Sequence, residues 1–580
     1  MMLAAGRLQF PDYFILIGYF VLILGIGAYF YRYMRRMKDY FSGGNNIPWW
    51  LSGVSYYMSC FSAFGFIAYS ALAFEFGWVA VSLFWVMAPA TIVTALFMSR
   101  RWRRARIDSP VEYLEARYSP QVRQLFAWQG IPVRIIDDAL KLVAIGVFIK
   151  EGLGLETGPA MFWSGLIMLA YTFMGGLWAV TVTDFVQFIV MVAAIVVLLP
   201  LSISAAGGMS EFIQNSPEGF FRWTSEEYSW VYLCVQVLLF CLAFSSVNWA
   251  LIQRLYCVPK EKDAVKVGWL VFVLSIIGPP LILLPAMAAS RFLTGVEDTN
   301  EVYPKLCVQL LPAGMLGLII AAMFSATMSM LSSDYNVAAS VLTNDVYRRY
   351  IEPGASQRRL VWVGRLMTLL VGLIALGTAF LLAEAKGDEL FRNMVKLFSV
   401  ATAPVAIPMI AGLITPRVTK TAALASFLAG LSAGIAAFFL CPDKFELFGA
   451  MARKENGIVL TTTFVTVLWM VVVSWLDRRF VDETEQDRVD GFLRRLDVPI
   501  GEAEEDQLPV SRAGSAAISP FSVVGVSTAI IGVMMLLVLP WVEGRLAVGM
   551  SLGIGLALVV LGAVMTIGSR RRSVPGATSS

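Results

Sequence analysis

Long apolar runs alternate with short polar connectors along nearly the whole of this chain. Runs of about 20 residues, the length that spans a bilayer as a helix, fall near 12-31, 48-74, 77-98, 124-150, 157-174, 178-201, 229-252, 266-289, 314-341, 359-384, 393-415, 420-440, 458-476, 520-540 and 545-567. The pattern predicts an all-α polytopic membrane protein with about fifteen crossings. Two runs are interrupted by small polar residues: 48-74 carries Ser52-Gly53, Ser55, Ser59, Ser62 and Gly65, and 229-252 carries Ser245-Ser246 and Asn248. Each opens a group of five runs, 48-201 and 229-415. Interrupted helices at matching positions of two halves are what an inverted-repeat transporter uses, because unwound backbone supplies ligands at mid-membrane. Small polar residues also serve ordinary helix contacts. Outside the two halves lie an extra first span with its loop (1-47), further spans (416-476), a charged loop (477-519) and two C-terminal spans with a basic tail (520-580).

Connector charge sets an orientation. Basic clusters at Arg32 to Lys38, Arg101 to Arg106, Lys260 to Lys266, Arg348 to Arg359, Arg417 to Lys420, Arg478-Arg479 and Arg570 to Arg572 follow odd-numbered runs, whereas acidic residues collect at Glu151 to Glu156, Glu211 to Glu227, Glu297 to Glu301 and Asp388-Glu389. Lys and Arg stay on the cytoplasmic side, so the N-terminus is expected outside and the C-terminus inside a plasma (inner) membrane. The charged loop is too short for a catalytic domain and is expected to hold one amphipathic helix near Val489 to Leu496.

Composition agrees: 58% of the 580 residues are hydrophobic and 15% charged, with mean hydropathy +0.71. A net charge of +4 gives no nucleic-acid footprint, and the absence of histidine removes the commonest zinc ligand and imidazole base. The six cysteines show no metal spacing. Nothing suggests an enzyme or a cofactor.

Three constellations of polar residues stand out within the apolar runs. In Gly175 to Gln187, Asp184 lies three residues from Gln187 and Thr183 four, so carboxylate, hydroxyl and amide oxygens share a helix surface. A carboxylate at the bilayer centre costs roughly 2.5 to 3.5 kcal/mol on insertion scales, so Asp184 is a functional candidate for a hard cation, with a packing role as the alternative. In 321-334, Ser325, Ser329, Ser332 and Ser333 draw a hydroxyl stripe ending at Asp334. Asp334 reads as a proton site, a substrate contact or a carboxylate paired with a basic group. In 134-141, Arg134 with Asp138 and Asp137 with Lys141 are both four apart, which predicts two ion pairs within one helix. The functional alternative is a water-filled cavity lined by these groups.

The run Gly175 to Gln187 resembles the signature of the sodium:solute symporter family. In family order come Pro48-Trp49-Trp50, Asn248 with Gln253-Arg254, Tyr303-Pro304-Lys305, Leu311-Pro312 with Gly314 and Gly317, Ala321-Ala322, Thr343 to Tyr347 and Val489 to Leu496. The resemblance covers roughly residues 10 to 500. It implies a LeuT-type core of five plus five inverted helices, with one extra N-terminal and about four extra C-terminal helices, in a carrier that imports a small polar organic solute with Na+ by alternating access. Matched position by position, the main sodium site falls on the Met58, Phe61 and Ala322 carbonyls and the Ser325 hydroxyl; the family's next hydroxyl falls on Ala326, which has none. A second sodium site falls on Asp184, Ser325 and Ser329, with Met328 where another hydroxyl would stand. Phe64, Asn248 and Trp249 edge the expected solute pocket, where Trp249 replaces the usual Gln. The rivals are a proton-coupled carrier, suggested by Ala326 and Asp334, and a transporter-like sensor.

Overall fold

The computed structural model describes residues 8–31, 37–60, 62–107, 110, 112–383, 389–500 and 519–572. Among them, twelve helices are long and apolar enough to cross a membrane, against fifteen expected. The three runs that miss this criterion do so for different reasons. The run 48-74 is broken into Trp49–Met58 and Ala63–Phe76, each too short to span alone. The run 124-150 lies in Pro120–Leu153, where Arg134, Asp137, Asp138 and Lys141 lower the hydropathy. The run 157-174 is the first part of one helix, Thr157–Ala205, 49 residues long, in which the apolar span begins at Leu177.

A straight helix of 49 residues would measure about 73 Å, more than twice the ~30 Å hydrocarbon core. Thr157–Ala205 is not straight. The Tyr171 and Thr183 hydroxyls are hydrogen-bonded to each other, and residues that far apart on a straight helix are separated by about 18 Å. The chain therefore folds back between them, in the segment that contains Gly175-Gly176.

The N-terminal helix, Phe10–Tyr31, is tied to the serine-rich helix Met315–Val341 by a cap. The first N–H groups of a helix have no partner within it, and here Asp12 Oδ1 accepts from the Gly314 and Gly317 amides at 2.7 and 2.8 Å. The approach is close enough that a Cβ on Gly317 would lie 2.4 Å from the Asp12 carbonyl oxygen. In the charged loop, the expected amphipathic helix is Glu483–Asp497, which buries Val489, Phe492 and Leu496. Arg104 and Arg106 donate to its last carbonyls, Leu496 at 3.2 Å and Arg495 at 3.1 Å. A two-stranded antiparallel hairpin, Lys444–Leu447 with Ala450–Arg453, packs on the start of Trp230–Leu242, where Ser229 Oγ donates to the Met451 carbonyl at 2.5 Å.

The cap yields a stability prediction. Asp12→Ala should cost about 1–2 kcal/mol and lower the thermal unfolding midpoint of the purified protein. Gly317→Val should cost more, because its Cβ meets rigid backbone. Equal midpoints for both variants and the wild type would remove Asp12 from the architecture.

Candidate functional site

Two helices are unwound inside the protein, and each break creates polar groups that need partners. The first helix stops at Met58, and Ser62 restarts it in extended conformation; Ser59 Oγ back-bonds to the Ser55 carbonyl at 2.8 Å. The second runs as Trp230–Leu242, passes through a π turn at Ala243–Val247 and resumes as Trp249–Tyr256. Asn248 caps the resumed helix, accepting from the Leu251 amide at 3.4 Å. The carbonyls loosened by the π turn are taken by long side chains from elsewhere: Trp102 Nε1 donates to Ser245 at 2.8 Å and Arg134 Nη2 to Val247 at 2.5 Å.

Asp184 is fully buried and is the meeting point of four helices. Ser55 of the first broken helix donates to its Oδ2, and Arg254 Nη2 lies 3.6 Å from the same oxygen. Arg254, also fully buried, donates through Nε to Ser55 Oγ at 3.0 Å and through Nη2 to Ser333 Oγ of the serine helix at 2.5 Å. On the other side, the Gln187 carboxamide, turned so that its nitrogen faces the acceptors, donates to Asp184 Oδ1 at 3.2 Å and to the Ser325 carbonyl at 3.3 Å. Its oxygen then faces the Tyr19 hydroxyl, which shares a 2.5 Å hydrogen bond with Ser325 Oγ. Ser329 Oγ is buried beside the Asp184 carboxyl.

A cavity of about 130 Å³ lies between the broken helices. Ser62 lines it from the first break, Gln236, Asn248 and Trp249 from the second helix, and Arg134, Asp137 and Lys141 from Pro120–Leu153. Most of the remaining wall is apolar and aromatic, including Phe240, Phe244 and Phe398. Three buried donors on this wall have no acceptor among the described residues: Arg134 Nε, Gln236 Nε2 and Trp249 Nε1.

The pairing expected along Pro120–Leu153 is half corrected. Asp137 does pair with Lys141, at 2.7 Å. Arg134 does not close on Asp138 within the helix; it reaches across to Asp334 of the serine helix and stacks 4.9 Å over the Trp249 ring. A cross-helix carboxylate and the Val247 carbonyl together satisfy the guanidinium fork better than one local carboxylate. Asp138 Oδ1 instead accepts from Lys141 at 3.0 Å, and Lys141 also lies 3.2 Å from Asp334 Oδ2. Asp334 is thus a buried ion-pair partner of two cations.

Of the residues singled out in the sequence, Met58 ends the first half of the broken helix, and Ala322 and Ser325 are buried on the serine helix. Phe61 lies outside the described residues, as does the side chain of Phe64. Asp184 and Ser325 are brought together through Gln187. Asn248 and Trp249 share one cavity with Arg134, Asp137 and Lys141, two groups that the sequence presents separately. Tyr19, Ser55, Arg254 and Gln236 are the additions. Ser55 and Arg254 stood in noted polar patterns, whereas Tyr19 and Gln236 are single polar tips within apolar runs and carry no sequence signal.

A family model described as sodium:solute symporter family matches residues 40–430. The sodium/sialic acid symporter SiaT of Proteus mirabilis is 25% identical over 471 residues, covering 78% of this chain and 95% of that protein. A sodium/glucose cotransporter of Vibrio parahaemolyticus is 25% identical, covering 73% of this chain and 84% of that protein, and the human sodium/myo-inositol cotransporter 2 is 25% identical, covering 80% and 76%. Among solved structures, a substrate-bound, outward-open Na+-coupled sialic acid symporter superposes with TM-score 0.70 at 21% identity, over 81% of this chain and 98% of that one. This likeness shows the fold.

Removing one partner of a buried ion pair strands the other charge and costs about 3–5 kcal/mol. Arg254→Met should therefore collapse the yield and thermal stability of the purified protein, and the double variant Arg254→Met/Asp184→Asn should recover most of both. If the single variant is as stable as the wild type, Arg254 is not what holds Asp184.

Proposed function

The chain belongs to the sodium:solute symporter family, and from that premise we propose that it is a sodium-driven secondary symporter that imports a small polar organic solute by alternating access. The observation that carries this reading is the pair of broken helices, one opening each half of the chain, with a mainly apolar cavity between them that a few polar side chains enter. On this reading residues 48-201 and 229-415 are the two inverted repeats. The three runs that fall short of the length and hydropathy criterion also cross, giving fifteen spans with the N-terminus outside and the C-terminus in the cytoplasm.

Sodium binds as cargo where the first break meets the serine helix. Its main site takes the Met58, Phe61 and Ala322 carbonyls and the Ser325 hydroxyl. Asp184, Ser325 and Ser329 form a second site, and the buried Ser329 hydroxyl beside the Asp184 carboxyl supports it. Oxygen donors of this kind suit a small hard cation. The solute occupies the cavity against Phe64, Asn248 and Trp249. Three unpartnered N–H donors on an otherwise apolar wall favour a solute rich in acceptor oxygens that also has an apolar face. One charge moving through about 100 mV supplies ~2.3 kcal/mol, and a roughly tenfold sodium gradient adds ~1.4. Together these sustain accumulation of several hundredfold.

The test is a thermal-shift screen of the purified protein against sugars, amino acids, carboxylates and vitamins, in sodium and in choline. Solute-induced stabilisation should require sodium. Asp184→Asn and Ser325→Ala should each raise the sodium concentration for half-maximal stabilisation about tenfold, the worth of one hydrogen bond to a charged group. Full stabilisation in choline at low pH would overturn sodium coupling in favour of protons.

A further inference from the structure

The cluster beside the cavity carries a charge that its own members do not cancel. Arg134 and Lys141 supply two positive charges; Asp137, Asp138 and Asp334 supply three negative ones, and all five side chains are buried. The three carboxylates offer oxygens within 4.8 Å of one another, and the Lys141 ammonium, within 3.2 Å of all three, stands where a bound cation would otherwise sit. One negative charge is left over in a medium where an unpaired ion is expensive.

The partners show where that charge resides. Asp334 faces two cations, Arg134 and Lys141. Asp137 has the closest contact with Lys141, at 2.7 Å, and lines the cavity. Among the described residues, Asp138 has the 3.0 Å contact of its Oδ1 with Lys141, and its Oδ2 is buried with no hydrogen-bond partner. The titratable groups that act most on Asp138 are Lys141 and Asp137 from its own helix and Asp334 from the serine helix, with Tyr335 of the serine helix nearby, while Arg134, one turn back, is directed to Asp334 and the Val247 carbonyl. None of them brings a further positive charge.

We propose that Asp138 is a proton-binding site, neutral when Lys141, Asp137 and Asp334 are charged, and that it exchanges its proton with water in the solute cavity by way of Asp137 and Lys141. The step is a simple protonation: one proton from solvent adds to the Asp138 carboxylate, no bond to carbon changes, and the cluster goes from one negative charge to none. The site is separate from the sodium ligands. It gives the carrier a proton that titrates beside the bound solute, so solute binding and ambient pH become linked.

The experiment is infrared difference spectroscopy of the full-length protein in lipid nanodiscs, without sodium or solute, so that its outcome is independent of sodium coupling. The wild type should show a protonated-carboxyl C=O stretch near neutral pH that shifts on exchange into heavy water and bleaches at alkaline pH. Asp138→Asn should lose one carboxyl's share of that band. Because Asn is a neutral mimic of the acid, this variant should also keep the wild-type melting midpoint, whereas Asp334→Asn, which strips two cations of their partner, should lose it. An unchanged band in Asp138→Asn overturns the assignment. So does a collapse of Asp138→Asn to the level of Asp334→Asn, because that outcome means Asp138 is held as an anion.

Discussion

A polar group inside a bilayer must find its partner within the protein, and this chain unwinds two helices and then answers the consequences one by one. A break frees backbone carbonyls, and lipid offers no donor to take them. The π turn at Ala243–Val247 hands its loosened carbonyls to Trp102 and Arg134. Using an arginine for this purpose brings in a charge, and the charge requires a carboxylate, supplied by Asp334. On the helix that precedes the first break, Ser55 donates to Asp184 and accepts from Arg254, and the carboxylate answers the guanidinium. Arg134 and Arg254 each join a broken helix to the serine helix.

Hydropathy made the long apolar helices legible because the bilayer imposes a length, and twelve of the fifteen expected runs meet that length and hydropathy in the structure. One run is broken, one carries four charges at its centre, and one is merged into the helix that follows it. The division between the runs 157-174 and 178-201 was legible although one continuous helix is assigned across both, because a pair of glycines separates them in the sequence. What sequence spacing could not decide was the choice of ion-pair partner. Residues four apart on a helix are able to meet, so Arg134 and Asp138 were a sound expectation. The competitor was a carboxylate on another helix, 200 residues further along the chain, and nothing in local periodicity reports such a partner. Tyr19 illustrates the same limit. Its hydroxyl reaches Ser325 from a helix outside the two repeats, and in the sequence it is one aromatic among many.

The proposed cation and solute sites also share an element. On the serine helix, Ser325 faces Tyr19 and, through its carbonyl, Gln187, while the adjacent residues Ser333 and Asp334 point to different hubs, Ser333 to Arg254 and Asp334 to Arg134 and Lys141. Neighbours on a helix project about 100° apart, so one rigid helix is gripped from two directions at a single level. Sliding or rotating it against the broken helices cannot release one grip and keep the other. The Arg254 network sits among the sodium candidates and the Arg134 network lines the cavity. A cation that tightens the first grip therefore acts on the geometry of the second through one helix turn, without a relay across the protein. Coupling of this kind needs a shared element whose position both sites bias, and the serine helix is placed to be that element.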